Sequence, residues 1–209
     1  ARRRPISRRS ECCEEEEGSG RGKLLVNGQM AAIYGDAAPE PAAVRRGAGM
    51  VLQSPNPLPL SQSKNITLPL ELTLGMGKRE AEERMEQRLR RAGRWDEVKD
   101  RLDDAASGCS GGQQQRMCLA RTLALEPDIL LLDEPTASLD RRSADTIETL
   151  LEELRESIPI IMVSHSLPQA LRLAARFFVM SEGKIVKALT RGEIPDGGEE
   201  GEKFLESLL

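Results

Sequence analysis

The stretch "CSGGQQQRMCLARTLALEPDILLLDEP", Cys109 to Pro135, decides how this chain folds. It begins with a Gly-rich turn that opens a helix, and the helix should run to about Leu125, before Pro127. "DILLLDEP" is then a continuous apolar run without alternation, which predicts a strand buried on both faces with Asp133 and Glu134 at its tip. Downstream, Ile147, Leu150, Leu151, Leu154 and Ile158 recur at helical spacing until Pro159. "IIMVSH" reads as a second buried strand, "SLPQALRLAAR" as a helix, and "FFVMSEGKIVKAL" as a hairpin turning at Ser181 to Lys184. From Gln113 onward the order is helix, strand, helix, strand, helix, hairpin. That alternation argues for an α/β fold around a parallel sheet.

The chain's 209 residues suffice for one domain with a sizeable core and a smaller lobe. A formal net charge of -4 calls for neither nucleic acid nor an acidic membrane surface, and 2% aromatic residues leave no platform for stacking bases. Cys12, Cys13, Cys109 and Cys118 have neither metal-site spacing nor the pattern of a disulfide framework, which suits a reducing cytoplasm. No apolar run approaches the length of a membrane span, and the Arg-rich start has no apolar segment of a signal peptide.

Residues 1–21 stand apart: an Arg-rich block, then Glu14 to Glu17, then Gly and Ser, with almost nothing to bury. Such a segment is expected to be disordered, and we read it as foreign to the globular part, which starts at about residue 22. "KLLVNGQ" reads as a strand closed by a turn at Asn27-Gly28, and "GMVLQ", Gly49 to Gln53, as another apolar run stopped by "SPNPLPLS". Residues 79–92 place Met85, Leu89 and Ala92 on one face of a surface helix, and "RWDEVKDRL" continues as helix.

In parallel α/β sheets, ligands sit beyond the carboxyl ends of the strands. Asp133 and Glu134 reach that rim on one strand, and His165, the only histidine, reaches it on another. One acid can hold Mg²⁺, the second can activate water, and the imidazole can stabilise charge on a transferred phosphoryl group. Ser110, Gly111 and Gly112 at a helix start form an anion-seeking arrangement, because free N–H groups and the positive dipole end converge there.

On these residues the chain resembles the nucleotide-binding subunits of ATP-binding cassette (ABC) transporters. "CSGGQ" matches the signature motif with Cys109 in place of Leu, and "ILLLDE" matches Walker B. "ASLD", Ala137 to Asp140, matches the D-loop, His165 the switch histidine, and Gln53 the Q-loop. The match runs from about Gly22 to Leu189. "QSPNPLPLS", "GMGKRE", "RWDEVKDRL" and "SGGQQQR" are similar, more narrowly, to the ATPase subunits of bacterial phosphate importers.

The resemblance implies a P-loop NTPase-like parallel sheet with a helical subdomain inserted at residues 54–108. It implies ATP and Mg²⁺ as cofactors, with Asp133 and Gln53 at the metal, Glu134 polarising the attacking water and His165 at the γ-phosphate. Ser110, Gly111, Gly112 and Gln113 would cap ATP held by a second nucleotide-binding subunit of a homodimer, with Asp140 at that interface. Transmembrane permease subunits would be the other partners, at the cytoplasmic face of the cell membrane.

One family element has no match. The phosphate-cradling pattern G-x-x-x-x-G-K-[ST] occurs nowhere; in "EGSGRGKLL", Glu17 replaces the first Gly and Leu24 the Ser/Thr, and we read Lys23 as a surface residue. The N-terminal part of the core is therefore expected to be missing, which would leave a strand edge open beside Walker B. Three readings follow: an importer ATPase subunit, a degenerate cassette that offers only its signature turn to a partner, or a soluble ABC protein outside transport. The docking-like segment at residues 54–108 speaks against the third.

Overall fold

Val51, Leu130 and Leu132 are almost fully buried because their strands present one face to two helices. The computed structural model describes residues 23–26, 29–32, 41–195 and 198–208. Residues 1–21, set apart above, lie outside it, as do Asn27 and Gly28. The chain divides into two units, Ala1–Gly47 and Ala48–Leu209.

In the first unit, β1 (Lys23–Val26) and β2 (Gln29–Ala32) pair antiparallel, with Val26 opposite Gln29. Only two residues, Asn27-Gly28, separate them, the strongest short-range signal for a hairpin. Helix α1 (Pro41–Gly47) completes the described part of this unit.

The second unit is built on a three-stranded parallel sheet ordered β3 (Ala48–Val51), β4 (Ile129–Asp133), β5 (Ile160–Val163). Helices α5 (Gly111–Ala124) and α6 (Arg141–Leu154) bury its inner face. Leu119 and Leu123 meet it from α5, and Ile147, Leu150, Leu151 and Leu154 from α6. The N-cap of α6 is Asp140, whose carboxylate accepts the Ser143 N–H at 3.0 Å and the Ser143 hydroxyl at 2.6 Å. Close packing requires Gly at position 49, where a Cβ would stand 2.6 Å from the Thr122 methyl and 2.8 Å from Pro127.

The other face of α5 belongs to a second core. Met117, Ala120 and Ala124 pack there with α2 (Gln62–Leu74), α3 (Lys78–Arg91) and the one-turn helix α4 (Trp95–Val98). These helices lie within residues 54–108, the span expected to be a helical subdomain. A third cluster joins α7 (Leu167–Leu173), the hairpin β6 (Arg176–Ser181) and β7 (Lys184–Thr190), and α8 (Gly198–Glu206). Glu182 and Gly183, at φ 49° and 76°, form the two-residue turn of that hairpin, the primed type that matches strand twist.

Three expectations change. The apolar run of β4 is not buried on both faces: Leu130 and Leu132 are buried, whereas Ile129 and Leu131 are half-buried. In β5, Ile161 and Val163 are 55% and 60% exposed. Only one face of the sheet is covered by helices among the described residues, so a run read as two-sided burial alternates in fact. The open edge also lies elsewhere: β4 pairs on both sides, and among the described residues the edges without a neighbour are those of β3 and β5. Finally, "RWDEVKDRL" gives only the single turn of α4.

Candidate functional site

Parallel pairing sets the site. Asp133 lies opposite Val163 in register, so Glu134 and His165 follow at adjacent strand ends. The Glu134 N–H donates to the Val163 carbonyl at 3.0 Å, fixing the acidic tip to the end of β5. One carboxylate oxygen of Glu134 accepts the backbone N–H of His165 at 3.0 Å and also bonds Nδ1 of its ring. A carboxylate only accepts, so the hydrogen sits on that ring nitrogen. Glu134 is held at φ 47°, a left-handed backbone conformation rare for a non-glycine residue. The structure thus brings together the second acid and the imidazole that the sequence placed at the rim.

The carboxylate of Asp133, half-buried beside them, makes no hydrogen bond or ion pair among the described residues. That leaves a hard oxygen ligand available for a divalent cation. No group of three or more His, Cys, Asp or Glu suited to a metal occurs among the described residues. Mg²⁺ commonly takes one or two carboxylates and completes its octahedron with water and phosphate oxygens, so Asp133 fits such an ion. Gln53 is exposed, two residues beyond the end of β3.

At the start of α5, Ser110 and Gln113 form a reciprocal capping box, with Ser110 Oγ accepting the Gln113 N–H and Gln113 Oε1 accepting the Ser110 N–H. Gly111 is exposed, and a Cβ there would meet nothing within 4 Å. Gly112 faces inward instead, where a Cβ would stand 3.2 Å from a Leu139 methyl and 3.4 Å from the Ser138 carbonyl. The turn therefore leans on the Ala137 to Asp140 segment and leaves one glycine open to its surroundings.

Behind this turn lies a network that motif reading does not show. Arg94, 1% exposed, donates to Glu97, to Gln62 and to the Cys109 sulfur. Glu97 also accepts from Arg116 and from the Gln113 amide. Burial works against the charge on Glu97, but Arg116 and then Arg94 outweigh it and hold the carboxyl below the usual carboxylate range. The tie between α4 and the turn is therefore complete at neutral pH and is lost only as pH falls through that lowered value. Cys109, where the signature motif has Leu, makes polar contacts with these partners.

The segment after β3 is tied to α5. Gln115 Nε2 donates to the Leu52 carbonyl at 2.9 Å, and Arg121 reaches the Asn56 carbonyl and side chain. Asn65, fully buried, both accepts the Leu58 N–H and donates to the Leu58 carbonyl. Gln62, Asn65, Arg94 and Gln115 are buried polar residues. For Gln62, Asn65 and Gln115 the signal in the sequence is a polar side chain within a helix, too common to single out, and Arg94 sits between two helices with no pattern to mark it.

Comparisons with known proteins follow the geometry. The ABC transporter family model matches residues 13–137, beginning within the segment set apart above. The phosphate import ATP-binding protein PstB of Shewanella denitrificans is 46% identical over 167 residues, 80% of this chain and 60% of that protein. PstB of Pseudoalteromonas translucida is 45% identical over 166 residues, 79% of this chain and 59% of that protein. The chain thus spans about three-fifths of the length of these curated relatives. Among solved structures, a cassette captured as a dimer in a post-hydrolysis state with ADP and Pi aligns with a TM-score of 0.68 and 27% identity. That alignment covers 81% of this chain and 73% of the other. The cbiO1 protein of Clostridium perfringens, part of the cbiONQ ABC transporter complex, aligns at 0.63 with 26% identity, covering 79% and 67% of the two chains.

Proposed function

We propose a function from one premise: the chain belongs to the ABC transporter family. In our reading it is the ATP-binding and ATP-hydrolysing subunit of an importer that takes up inorganic phosphate. The observation that carries the reading is the bonded pair Glu134–His165 beside the carboxylate of Asp133, which has no partner among the described residues. The solute is inferred from the identity, 46% and 45%, to proteins named for phosphate import.

Each residue then has a task. Asp133 and Gln53 would hold Mg²⁺, which when bound would neutralise charge on the transferred phosphoryl group. The Glu134 oxygen not engaged by His165 accepts a proton from the attacking water. His165, oriented through Nδ1, would donate from Nε2 to a phosphoryl oxygen when the ring carries a hydrogen on both nitrogens. Ser110 and the free N–H groups of Gly111 and Gly112 cap nucleotide held by a second subunit, Gln113 holds Ser110 in place, and Asp140 lies at the subunit boundary. The solved dimeric relative supports such pairing. Permease subunits dock on the helical insertion from the cytoplasmic side; no helix among the described residues is long and apolar enough to cross a membrane.

A second reading rests on the absence of G-x-x-x-x-G-K-[ST] from the sequence. Without that cradle the chain supplies its signature turn to an intact partner and holds no nucleotide of its own. Titration calorimetry with ATP, with and without Mg²⁺, separates the two. Micromolar affinity for the isolated chain favours the first reading, and no heat of binding favours the second.

Both readings make one further prediction. Gly111→Val places a side chain in open space, so the midpoint of thermal unfolding should move by no more than about 2 °C, as for other exposed substitutions. The same branch obstructs an approaching nucleotide, so ATP-dependent association with a nucleotide-holding subunit, followed by light scattering, should be lost. Unchanged association would remove the signature turn from the interface.

A further inference from the structure

We infer that Gln169 is a positioning residue that holds the Glu134 and His165 segments in register; this rests on the reading that those two residues form the hydrolytic pair. Gln169 is 5% exposed on α7, and its amide reaches three different segments. Its Oε1 accepts the Ser164 hydroxyl at 2.9 Å, while Nε2 donates to Thr136 Oγ1 at 2.6 Å and to Glu148 Oε1 at 3.0 Å. Thr136 lies two residues beyond Glu134, and Ser164 directly precedes His165. One planar amide therefore spans the gap between the acid's loop and the imidazole's loop, and anchors both to α6 through Glu148.

The geometry gives this bridge a purpose. Glu134 sits in a left-handed conformation, which persists only where its surroundings over-determine it. On the strand side, the bond from Glu134 N–H to the Val163 carbonyl does that; on the far side, Gln169 does. Ser164 Oγ, positioned by Gln169, also accepts the Ser166 N–H and so closes the turn that carries His165. Arg172, one turn along α7, bonds Glu148 at 2.9 Å and Glu152 at 2.7 Å and keeps α7 docked, so removing the amide does not undock the helix. Gln suits the position because it accepts and donates at once. A carboxylate would face Glu148, and an apolar side chain would bond none of the three.

The test uses the full chain at fixed pH and needs no nucleotide. Gln169→Met keeps the length and loses the bonds. Amide hydrogen exchange at Glu134 and His165 should accelerate roughly tenfold, the scale of one net hydrogen bond, while amides of α2 and α3 stay within about twofold. Gln169→Glu keeps an acceptor for Ser164 but sets its carboxylate against Glu148, so exchange should accelerate there too, and adding Glu148→Gln to it should restore protection by exchanging donor and acceptor. Protection unchanged at Glu134 and His165 in Gln169→Met overturns the proposal, as does failure of the double variant to restore it. If Gln169→Met does not fold, Thr136→Val decides on the same two amides, faster exchange supporting the bridge and unchanged exchange overturning it. In any preparation that turns over ATP, kcat should drop by about tenfold with KM moving less than about twofold, a split expected of misplacement rather than lost binding. A wild-type chain that never hydrolyses ATP defeats the proposed function and leaves the exchange result standing.

Discussion

Replacing Glu134 by Gln should lower the rate of ATP hydrolysis by about a hundredfold to ten-thousandfold while nucleotide affinity changes little. The substitution keeps the shape of the side chain and one acceptor oxygen. That oxygen can still take the His165 N–H, so the local turn survives. What disappears is the second carboxylate oxygen, the group that takes the proton from water. Phosphate release in a single turnover, measured on the assembly that hydrolyses ATP, is the direct readout. Turnover within about threefold of wild type would remove Glu134 from the role of base, since general-base loss ordinarily costs far more.

Leu130→Ala should be the most damaging of the conservative sheet substitutions. Leu130 is 0% exposed, and its truncation leaves a cavity within the cluster formed with Leu119, Leu123, Ile147 and Leu151. A loss of about 2–5 kcal/mol is expected, with the unfolding midpoint falling by several degrees at the least. Ile161→Thr, on the neighbouring strand but the opposite face, should cost no more than about 0.5 kcal/mol, because Ile161 already stands more than half exposed. Urea denaturation of both variants checks the pair. Equal, large losses would mean that both faces of the sheet are covered, as the unbroken apolar run suggests.

That contrast marks where the sequence stops being legible. "ILLLD" and "IIMV" carry apolar residues at every position, the composition of strands covered on both sides. Which face receives helices depends on how many elements pack around the sheet, a property of no single segment. The helix carrying Met85 and Leu89 was readable from their spacing. The division of α5 between two cores, with Met117 and Ala120 on one side and Leu119 and Leu123 on the other, was not, because from Met117 to Ala124 every residue but Arg121 is apolar or small. Asp133 and Asp140 illustrate the same limit at the site. Either acid suits an N-cap in sequence, yet the structure gives that task to Asp140 and leaves the Asp133 carboxylate without a partner among the described residues. The hydroxyl of Ser143 and the backbone N–H it shares with the cap hold the Asp140 carboxyl below its ordinary range.

The sequence by itself determined the α/β order, the strand tips that carry Asp133, Glu134 and His165, and the glycine turn before α5. These follow from local chemistry: apolar runs, helical spacing, and the turn preferences of Gly, Asn and Pro. Only the tertiary structure decided that His165 bonds Glu134, that Gln169 bridges Thr136 to Ser164, and that Arg94 and Glu97 support the signature turn. Each joins residues that parallel pairing and helix packing bring together across the chain. A polar side chain shows its partner only once the backbone has delivered it there.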